Sequence, residues 1–354
     1  MSQKNCCPLF DVKPFDRTFY NERLTDFLPK KIIDIHAHVW LDKFISKVQS
    51  MPSKITGWTS LVAKDNSIED LIKTYRLMFP GKKVKPLIFS LVSQGDNISE
   101  ANSYVQKCSV QNGFPSLVFA DPKWSSEELE REIIKGGFYG SKVYMSMVEQ
   151  HIPQKEIRIF DYLPLHQLEV LNKHGLIAML HIPRDERLKD RLNLQQMLEI
   201  ERNYPNLKLI IAHVGRAYCP EDAGDAFEIL SRTENMLFDF SANTNQWIFE
   251  QIINAVGPKR ILFGSDLPIL RMRMRRICES GNYVNLVPAG LYGDVSQDKH
   301  MRYIYGEEAE KLTFFMYEEI DAFRRAAEAT RLTASDIEDV FYNNAASILN
   351  GIKQ

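Results

Sequence analysis

The residues best suited to chemistry are two histidines that stand one residue apart in the segment Ile33-Asp34-Ile35-His36-Ala37-His38. Side chains alternate across an extended strand, so Asp34, His36 and His38 are expected to point to the same side. Two imidazoles on one side converge on a common point, where they can hold a metal ion or form hydrogen bonds with nearby backbone. The spacing alone leaves both interpretations open.

Further polar residues follow later apolar segments of the chain. His181 and His213 each end such a segment, and Asp266 follows another in Gly264-Ser265-Asp266. Buried imidazoles and carboxylates need partners, so core packing does not readily explain these residues at segment ends. The remaining histidines fall in expected helices or loops, where a structural role is the better interpretation; they are His151, His166, His174 and His300.

Eight short apolar segments rich in β-branched residues must position these side chains, separated by stretches of roughly 25 to 50 residues with helical patterns. They cover residues 31–36, 86–92, 116–120, 140–145, 176–181, 207–213, 237–241 and 260–265. Alternation of strand and helix is typical of a parallel sheet that is buried on both faces. Eight units predict an α/β fold, a (β/α)8 TIM barrel whose active-site mouth lies at the carboxyl ends of the strands.

The chain is expected to form one barrel domain over residues 31–354, preceded by an N-terminal arm over residues 1–30. Two inserts distort the repeat, near residues 40–80 and 267–305, and both are expected to lie as loops over the carboxyl-terminal face. After Glu307, C-terminal amphipathic helices are expected to pack against the outside. Length alone does not determine the number of domains, because a single barrel domain can exceed about 250 residues.

The composition is that of a soluble globular protein, with 44% hydrophobic and 25% charged residues. Lys and Arg total 44 and Asp and Glu 46, so the charge balance gives no reason to expect nucleic acid or an anionic membrane as a partner. No apolar run approaches the ~18 residues needed to span a bilayer.

The five cysteines contain no C-x-x-C pair and are interpreted as reduced thiols of a cytoplasmic protein.

From about residue 31 to the closing Asn344-Ala345 segment, the chain resembles the amidohydrolase superfamily, and within it the amidohydrolase 2 family. The motifs that carry the resemblance are His36-x-His38 on the first strand, His181 on the fifth, His213-Val214-Gly215 on the sixth and Gly264-Ser265-Asp266-x-Pro268 on the eighth. That family contains metal-dependent hydrolases and nonoxidative decarboxylases. The resemblance therefore implies an enzyme.

Two reactions follow from the resemblance. The first is hydrolysis of a C–N or C–O bond, of the amide or lactone type, by metal-activated water. The alternative is a lyase reaction at the same site, nonoxidative decarboxylation of a carboxylated aromatic or muconate-like substrate. A barrel that has lost catalysis and serves as a binding module is disfavoured, since such a protein would be expected to lack at least one ligand.

The resemblance also implies roles for individual residues. The implied metal ligands are His36, His38, His181 and Asp266. Asp266 would also move a proton, and His213 would polarise the substrate or water. Neutral imidazoles and a carboxylate suit one divalent cation, Zn²⁺ first and Mn²⁺ second.

Lys142 in the fourth strand leaves two arrangements open. In some relatives this lysine is carboxylated and bridges two metals, and the residues needed for that binuclear site are present here. The favoured alternative is an unmodified lysine that pairs with Asp34 or with a substrate anion.

Arginines follow three of the predicted strand ends, where loops face the barrel mouth. They are Arg184 and Arg187 after the fifth strand, Arg216 after the sixth, and Arg271, Arg273, Arg275 and Arg276 after the eighth. Guanidinium groups bind carboxylates with two parallel hydrogen bonds, which predicts a small, carboxylate-bearing substrate held by Arg184, Arg216 and Arg271. Salt-bridged surface arginines are the alternative at each position. The sequence is also compatible with a homodimer.

Overall fold

A computed structural model of the chain describes residues 9–46 and 62–352. Within them, eight parallel strands follow one another in chain order. Their bounds are β1 Lys31–His38, β2 Lys83–Phe89, β3 Val118–Phe119, β4 Gly140–Val143, β5 Ile177–Leu180, β6 Lys208–Ile211, β7 Leu237–Asp239 and β8 Ile261–Leu262. β1 pairs with β2, and β3 to β8 pair in order as a second parallel sheet.

Backbone contacts join these two sheets at both edges. Ile88 of β2 forms a parallel bridge with Ser116, which lies just before β3. Ala37 of β1 forms another with Leu267, which follows β8. The strands therefore complete a ring, and the prediction of a (β/α)8 barrel is confirmed.

Helices cover the outside of this ring. Their bounds are α1 Pro14–Phe19, α2 Ile68–Met78, α3 Ile98–Asn112, α4 Ser126–Gly136, α5 Leu165–Lys173, α6 Arg191–Asn203, α7 Ala226–Leu230, α8 Gln246–Val256, α9 Gly306–Glu310, α10 Phe315–Ala329, α11 Ala334–Glu338 and α12 Asn344–Gly351. α4 shows how the sequence sets such bounds: Ser125 and Glu128 form the expected capping box, and Gly137 ends the helix in a left-handed conformation (φ 62°).

The insert over residues 267–305 is more ordered than a loop. It contains a three-stranded sheet of β9 Arg275–Glu279, β10 Asn282–Pro288 and β11 Met301–Ile304. β9 and β10 form a hairpin whose turn residues, Ser280 (φ 49°) and Gly281 (φ 76°), have the positive φ angles that such turns need. β9 buries no residue fully, so it lacks the apolar alternation by which a strand is recognised.

The other two irregular segments are only partly described. Residues 1–8 of the N-terminal arm and residues 47–61 of the first insert lie outside the described residues. The rest of that insert includes α2, which is the ordinary barrel helix between β1 and β2. None of the described helices is both long and apolar enough to cross a membrane.

Cys219 and Cys278 form a disulfide, so the expectation of reduced thiols is wrong for this pair. The two residues are 59 positions apart and meet because β9 packs against the loop that follows β6. Spacing along the chain carried no sign of this contact. Cys108 is a buried free thiol.

Candidate active site

The end of β1 presents His36 and His38 to one cavity, as the alternation of side chains predicts. Asp34 anchors the strand beneath them. Its Oδ1 accepts hydrogen bonds from the backbone N of His36 (3.0 Å) and of Ser265 (2.9 Å). Its Oδ2 accepts one from the hydroxyl of Tyr75 (2.6 Å). These bonds tie β1 to the end of β8 and fix the backbone that carries the histidines.

Asp239, the last residue of β7, orients His36. Asp239 Oδ2 accepts a hydrogen bond from His36 Nδ1 at 2.9 Å, and its Oδ1 accepts one from His213 N at 3.1 Å. Burial alone would raise the pKa of Asp239, but the interaction with His36 prevails and holds that pKa below its ordinary value. Because His36 Nδ1 donates to this carboxylate, His36 Nε2 keeps a free lone pair. Burial also lowers the pKa of His36 to about 4, so its ring is neutral at pH 7.

Asp266 completes the cluster from the end of β8. Its Oδ1 lies 3.1 Å from His38 Nε2 and 3.5 Å from His36 Nε2. Asp266 N donates to His36 O (2.8 Å), which holds this residue against β1. Burial would raise the pKa of Asp266, but the hydrogen bond with His38 and the nearby imidazoles bring it to about 2. Asp266 is therefore a carboxylate at neutral pH.

These three residues are spaced as ligands of one ion would be. Ligands that lie about 2.1 Å from a tetrahedral metal are roughly 3.4 Å from one another. The ligand atoms of these three residues are close to that spacing, since all lie within 4.8 Å of one another. His38 Nδ1 is buried and has no hydrogen-bond partner in the described part of the chain. Imidazole nitrogens beside a carboxylate oxygen form a donor set suited to a borderline divalent cation. The residues present fit such an ion.

His181 and His213, at the ends of β5 and β6, line the same cavity. The ring of His213 lies 4.9 Å from that of His36 and 5.2 Å from that of His181. His181 Nδ1 is buried and has no hydrogen-bond partner among the residues described. Burial, with the charge of Arg216, holds the pKa of His181 well below its ordinary value. His181 is thus a neutral imidazole beside the cluster, and its role as a fourth ligand stays a prediction.

The tautomer of His213 follows from its partners. His213 Nδ1 lies 2.8 Å from Ser241 Oγ and 3.2 Å from Ser241 O. A backbone carbonyl only accepts hydrogen bonds, so Nδ1 carries the hydrogen and Nε2 is left free.

A left-handed turn over residues 213–216 sets the direction of the chain after β6. His213, Val214, Gly215 and Arg216 have φ angles of 58°, 48°, 60° and 59°. Such angles are costly for L-residues and persist where the surroundings determine them, as at ligand sites. A Cβ atom at Gly215 would lie 2.5 Å from Leu188 Cδ1, so a larger residue there would require Leu188 to move.

Lys142 of β4 is fully buried near the cluster, with its Nζ 5.2 Å from the ring centre of Phe89. The predicted pairing with Asp34 is not formed, because Asp34 accepts its hydrogen bonds elsewhere. No carboxylate oxygen of residues 9–46 or 62–352 lies within 4.0 Å of Lys142 Nζ. Burial lowers the pKa of Lys142 to about 8, against the attraction of Asp239 and Asp266.

The cluster lines a cavity of about 700 Å³, a volume typical of sites for small molecules. Loops after β4, β5 and β6 and the insert sheet supply its outer wall. The polar and aromatic residues of that wall include Tyr144, Arg187, Arg216, Tyr218, Arg276 and Tyr283.

The structure brings one of the three predicted substrate arginines to this cavity. Arg216 lines it, and its Nη1 donates to the carbonyls of residues 182, 183 and 184 at 3.0 to 3.3 Å. Arg184 instead pairs with Asp190 at 2.8 Å. Arg271 is buried away from the cavity lining, with its guanidinium 5.6 Å from the ring of Phe10. A position after a strand end does not say which way a loop residue faces.

Sequence reasoning missed Asp239. The segment Leu237-Phe238-Asp239-Phe240-Ser241 is the seventh predicted strand, and Asp239 stands near its end as Asp266 stands at the end of the eighth. Alternation along the strand could therefore have identified it.

A family model described as amidohydrolase matches residues 33–351. The fold is similar to that of 4-oxalomesaconate hydratase from Rhodopseudomonas palustris, with 17% identity over 90% of this chain and 95% of that one and a TM-score of 0.54. It is also similar to an amidohydrolase from Burkholderia multivorans solved with bound zinc, with 12% identity over 90% and 99% of the two chains and a TM-score of 0.58.

A third similar structure is 2,6-dihydroxybenzoate decarboxylase from Rhizobium, with 15% identity over 91% of this chain and 99% of that one and a TM-score of 0.52. At these identities the structures demonstrate a shared fold. A search of the curated proteins finds no match.

Proposed function

Because the chain belongs to the amidohydrolase 2 family, we propose that it is a metal-dependent hydrolase of a C–N or C–O bond in a small, carboxylate-bearing substrate. The observation that carries the proposal is the approach of His36 Nε2 and His38 Nε2 to Asp266 Oδ1 in the wall of a cavity of about 700 Å³. Hydrolase chemistry needs a place where an ion, water and substrate meet, and a cavity of this volume beside the cluster supports that role.

The proposed ion is a single divalent cation, zinc in preference to manganese. Its proposed ligands are His36, His38, His181 and Asp266. When bound, the ion supplies Lewis acidity, which favours the ionisation of water near neutral pH. Asp239 supports the site by keeping Nε2 of His36 available as a donor atom.

The proton in this proposal is handled by Asp266 and His213. Asp266 Oδ1 faces two imidazoles, which leaves Oδ2 to accept a proton from the attacking water and return it to the leaving group. His213 is held at Nδ1 by Ser241, so its free Nε2 accepts a hydrogen bond from water. Burial lowers the pKa of His213, which keeps this nitrogen an acceptor that orients the water.

We propose that Arg216 binds the carboxylate of the substrate, close to the bond that reacts. Backbone carbonyls hold its guanidinium in place, and no carboxylate oxygen in the described part of the chain lies within 4.0 Å of it. Unmodified Lys142 adds a second positive charge nearby. Both groups favour an anionic substrate.

Metal analysis and product analysis test the proposal together. We expect about one zinc or manganese ion per chain after loading, and its loss in His36→Ala with the circular dichroism spectrum unchanged. His151→Ala, at an exposed histidine that does not line the cavity, is the matched control and should retain the ion. Two ions per chain, or loading that depends on bicarbonate, would assign a bridging role to Lys142.

The reaction type is read from products. Carboxylate-bearing lactones, amides and hydroxybenzoates are offered to the loaded protein in ¹⁸O-labelled water. Cleavage of the bond with label in the organic product supports hydrolysis, whereas release of carbon dioxide with no label in the organic product identifies a decarboxylase. Absence of bound metal after zinc and manganese loading would remove the proposal.

A further inference from the structure

Arg276 on β9 of the insert lines the same cavity as the histidine cluster. Its Nε donates to Asn285 Oδ1 (2.9 Å) and its Nη1 donates to Ala242 O (2.5 Å). Its Cζ atom also lies 4.5 Å from the ring centres of both Tyr218 and Tyr283. These contacts hold the guanidinium in one orientation, so a fixed cation is built into the cavity wall.

No carboxylate neutralises this cation. Within the described residues, no carboxylate oxygen lies within 4.0 Å of the Arg276 guanidinium. Its neighbour Arg275 pairs with Glu318 at 3.3 Å. Arg187, the other arginine beside the two tyrosines, pairs with Asp222 at 2.7 Å. A partly buried guanidinium bound only to neutral oxygens retains its full attraction for an anion.

The hydrogen-bonding capacity of Arg276 is also incomplete. Nε and Nη1 are engaged, while Nη2 makes no hydrogen bond to the residues that the structure describes. Asn285 and Ala242 engage Nε and Nη1, which leaves Nη2 for a ligand oxygen. The site is therefore able to accept a carboxylate without displacing either partner.

The surroundings of Arg276 are aromatic. Phe315 lies with its ring centre 4.6 Å from the guanidinium, and Tyr218 and Tyr283 meet edge to face at 5.1 Å. The ring of His300 stacks on Tyr283 at 4.1 Å. Flat, rigid walls of this kind pack best against a planar ligand.

Arg216, in the turn after β6, and Arg276, on β9, thus supply two separate cations to one cavity, and neither has a carboxylate partner among the described residues. On the basis of the proposed function, we propose that the substrate is a planar diacid and that Arg276 selects it by binding the acidic group farther from the reacting bond. The carboxylate nearer that bond is left to Arg216. Arg276 is then a specificity-determining residue supplied by the insert.

Binding of simple diacids to the metal-loaded protein tests this inference without requiring turnover. The probes are phthalate, isophthalate and terephthalate, each compared with its monomethyl ester by isothermal titration calorimetry. In the wild type, at least one diacid should bind about 10- to 100-fold more tightly than its ester, the range for one charge-assisted pair. Arg276→Met keeps an unbranched side chain without charge and should bring that ratio to about one.

Arg275→Met is the matched control, because Arg275 is the adjacent residue, 49% exposed and outside the cavity lining. It should leave the ratio unchanged. Equal affinities for diacid and ester in the wild type, or a ratio that survives Arg276→Met, would overturn the inference. Equal weakening of both ligands by Arg276→Met would assign Arg276 to holding the insert, and would overturn it as well. Absence of turnover with retained diacid preference would count against the hydrolase proposal alone.

Discussion

Asp266 has two tasks in the proposed site, since one oxygen faces the imidazoles and the other is left to move a proton. Asp266→Asn keeps an oxygen donor and a similar volume but cannot take the proton. We expect this variant to retain much of its metal and to lose about 10²- to 10⁴-fold in kcat, the usual range for removal of a general base. Metal content and steady-state kinetics on the same preparation measure the two effects separately.

Asp266→Ala is the companion variant and should lose both metal and activity. A purely structural ligand would behave differently, because the Asn variant would then keep near wild-type turnover. That result would leave His213 as the residue that moves the proton.

Asp239 is expected to act on the metal through His36. Asp239→Asn removes the charge that fixes the His36 tautomer, so the affinity for zinc should fall about 10- to 100-fold, as for other outer partners of ligating histidines. Competition with a chromophoric chelator gives this affinity. Asp185→Asn, at an exposed carboxylate of the same cavity, is the control and should leave it unchanged. Equal zinc affinity in wild type and Asp239→Asn would show that the tautomer is fixed by other means.

At the residue scale, strand-end positions were readable from the sequence and orientations beyond them were not. His36, His38 and Asp266 come together because alternation and the barrel mouth dictate it. Arg184 and Arg271 do not reach the cavity, because a loop residue's direction depends on contacts distant in sequence, such as the ion pair of Arg184 with Asp190.

At the scale of elements, a buried ion pair fastens the N-terminal arm to the insert. Asp16 Oδ2 accepts from Arg273 Nη2 at 2.7 Å, and Asp16 Oδ1 accepts from Arg273 Nη1 and from Thr313 Oγ1, both at 2.8 Å. Both charged side chains are buried. This ion pair holds α1 against the segment that connects β8 to α10.

Asp16→Ala would leave the guanidinium of Arg273 buried without its partner. We expect a loss of about 3 to 5 kcal/mol in the free energy of unfolding, measured by urea denaturation. Lys13→Ala is the control, since Lys13 forms an exposed ion pair with Glu310 and should cost no more than about 1 kcal/mol. Similar small losses in both variants would show that Arg273 is hydrated once Asp16 is removed.

The barrel units were predictable and the insert sheet was not, for a physical reason. Strands such as Ile177–Leu180 are buried throughout and read as continuous apolar segments. Arg275–Glu279 forms a strand through pairing with Asn282–Pro288 and buries little of its own surface. Its only local sign is the Ser280-Gly281 turn, which a search for hairpins could have used.

At the scale of the whole molecule, a net charge of -2 conceals an uneven distribution. The cavity gathers Lys142, Arg216 and Arg276 without carboxylate partners in the described residues, while Glu319 of α10 is buried close to other acids. A near-neutral composition therefore does not predict the charge of a substrate. The charge that the cavity favours in a ligand depends on where each buried charged side chain lies.

Glu319 gives this charge distribution a measurable consequence for stability. Its carboxyl group makes no hydrogen bond to a side chain of the described residues. Burial, with the charges of Asp239 and Asp34, raises its pKa well above the ordinary value, although the backbone N–H of Ala242 favours the charged form. The folded protein thus holds a proton that the unfolded chain releases above a pKa of about 4.3. Stability from this group is complete below that pH and falls as pH rises toward the folded-state pKa, at up to about 1.4 kcal/mol per pH unit.

Glu319→Gln replaces a neutral acid with a neutral amide of similar shape, so it should remove this dependence. We expect the free energy of unfolding of the variant, relative to wild type, to increase steadily as pH rises from 5 to about 8. Urea denaturation at each pH measures it, and effects of other titrating groups cancel in the difference. Glu328→Gln, at an exposed position on the same helix, should show a difference that does not vary with pH. A constant difference for Glu319→Gln as well would mean that Glu319 is ionised in the folded protein, its charge balanced by a cation bound nearby.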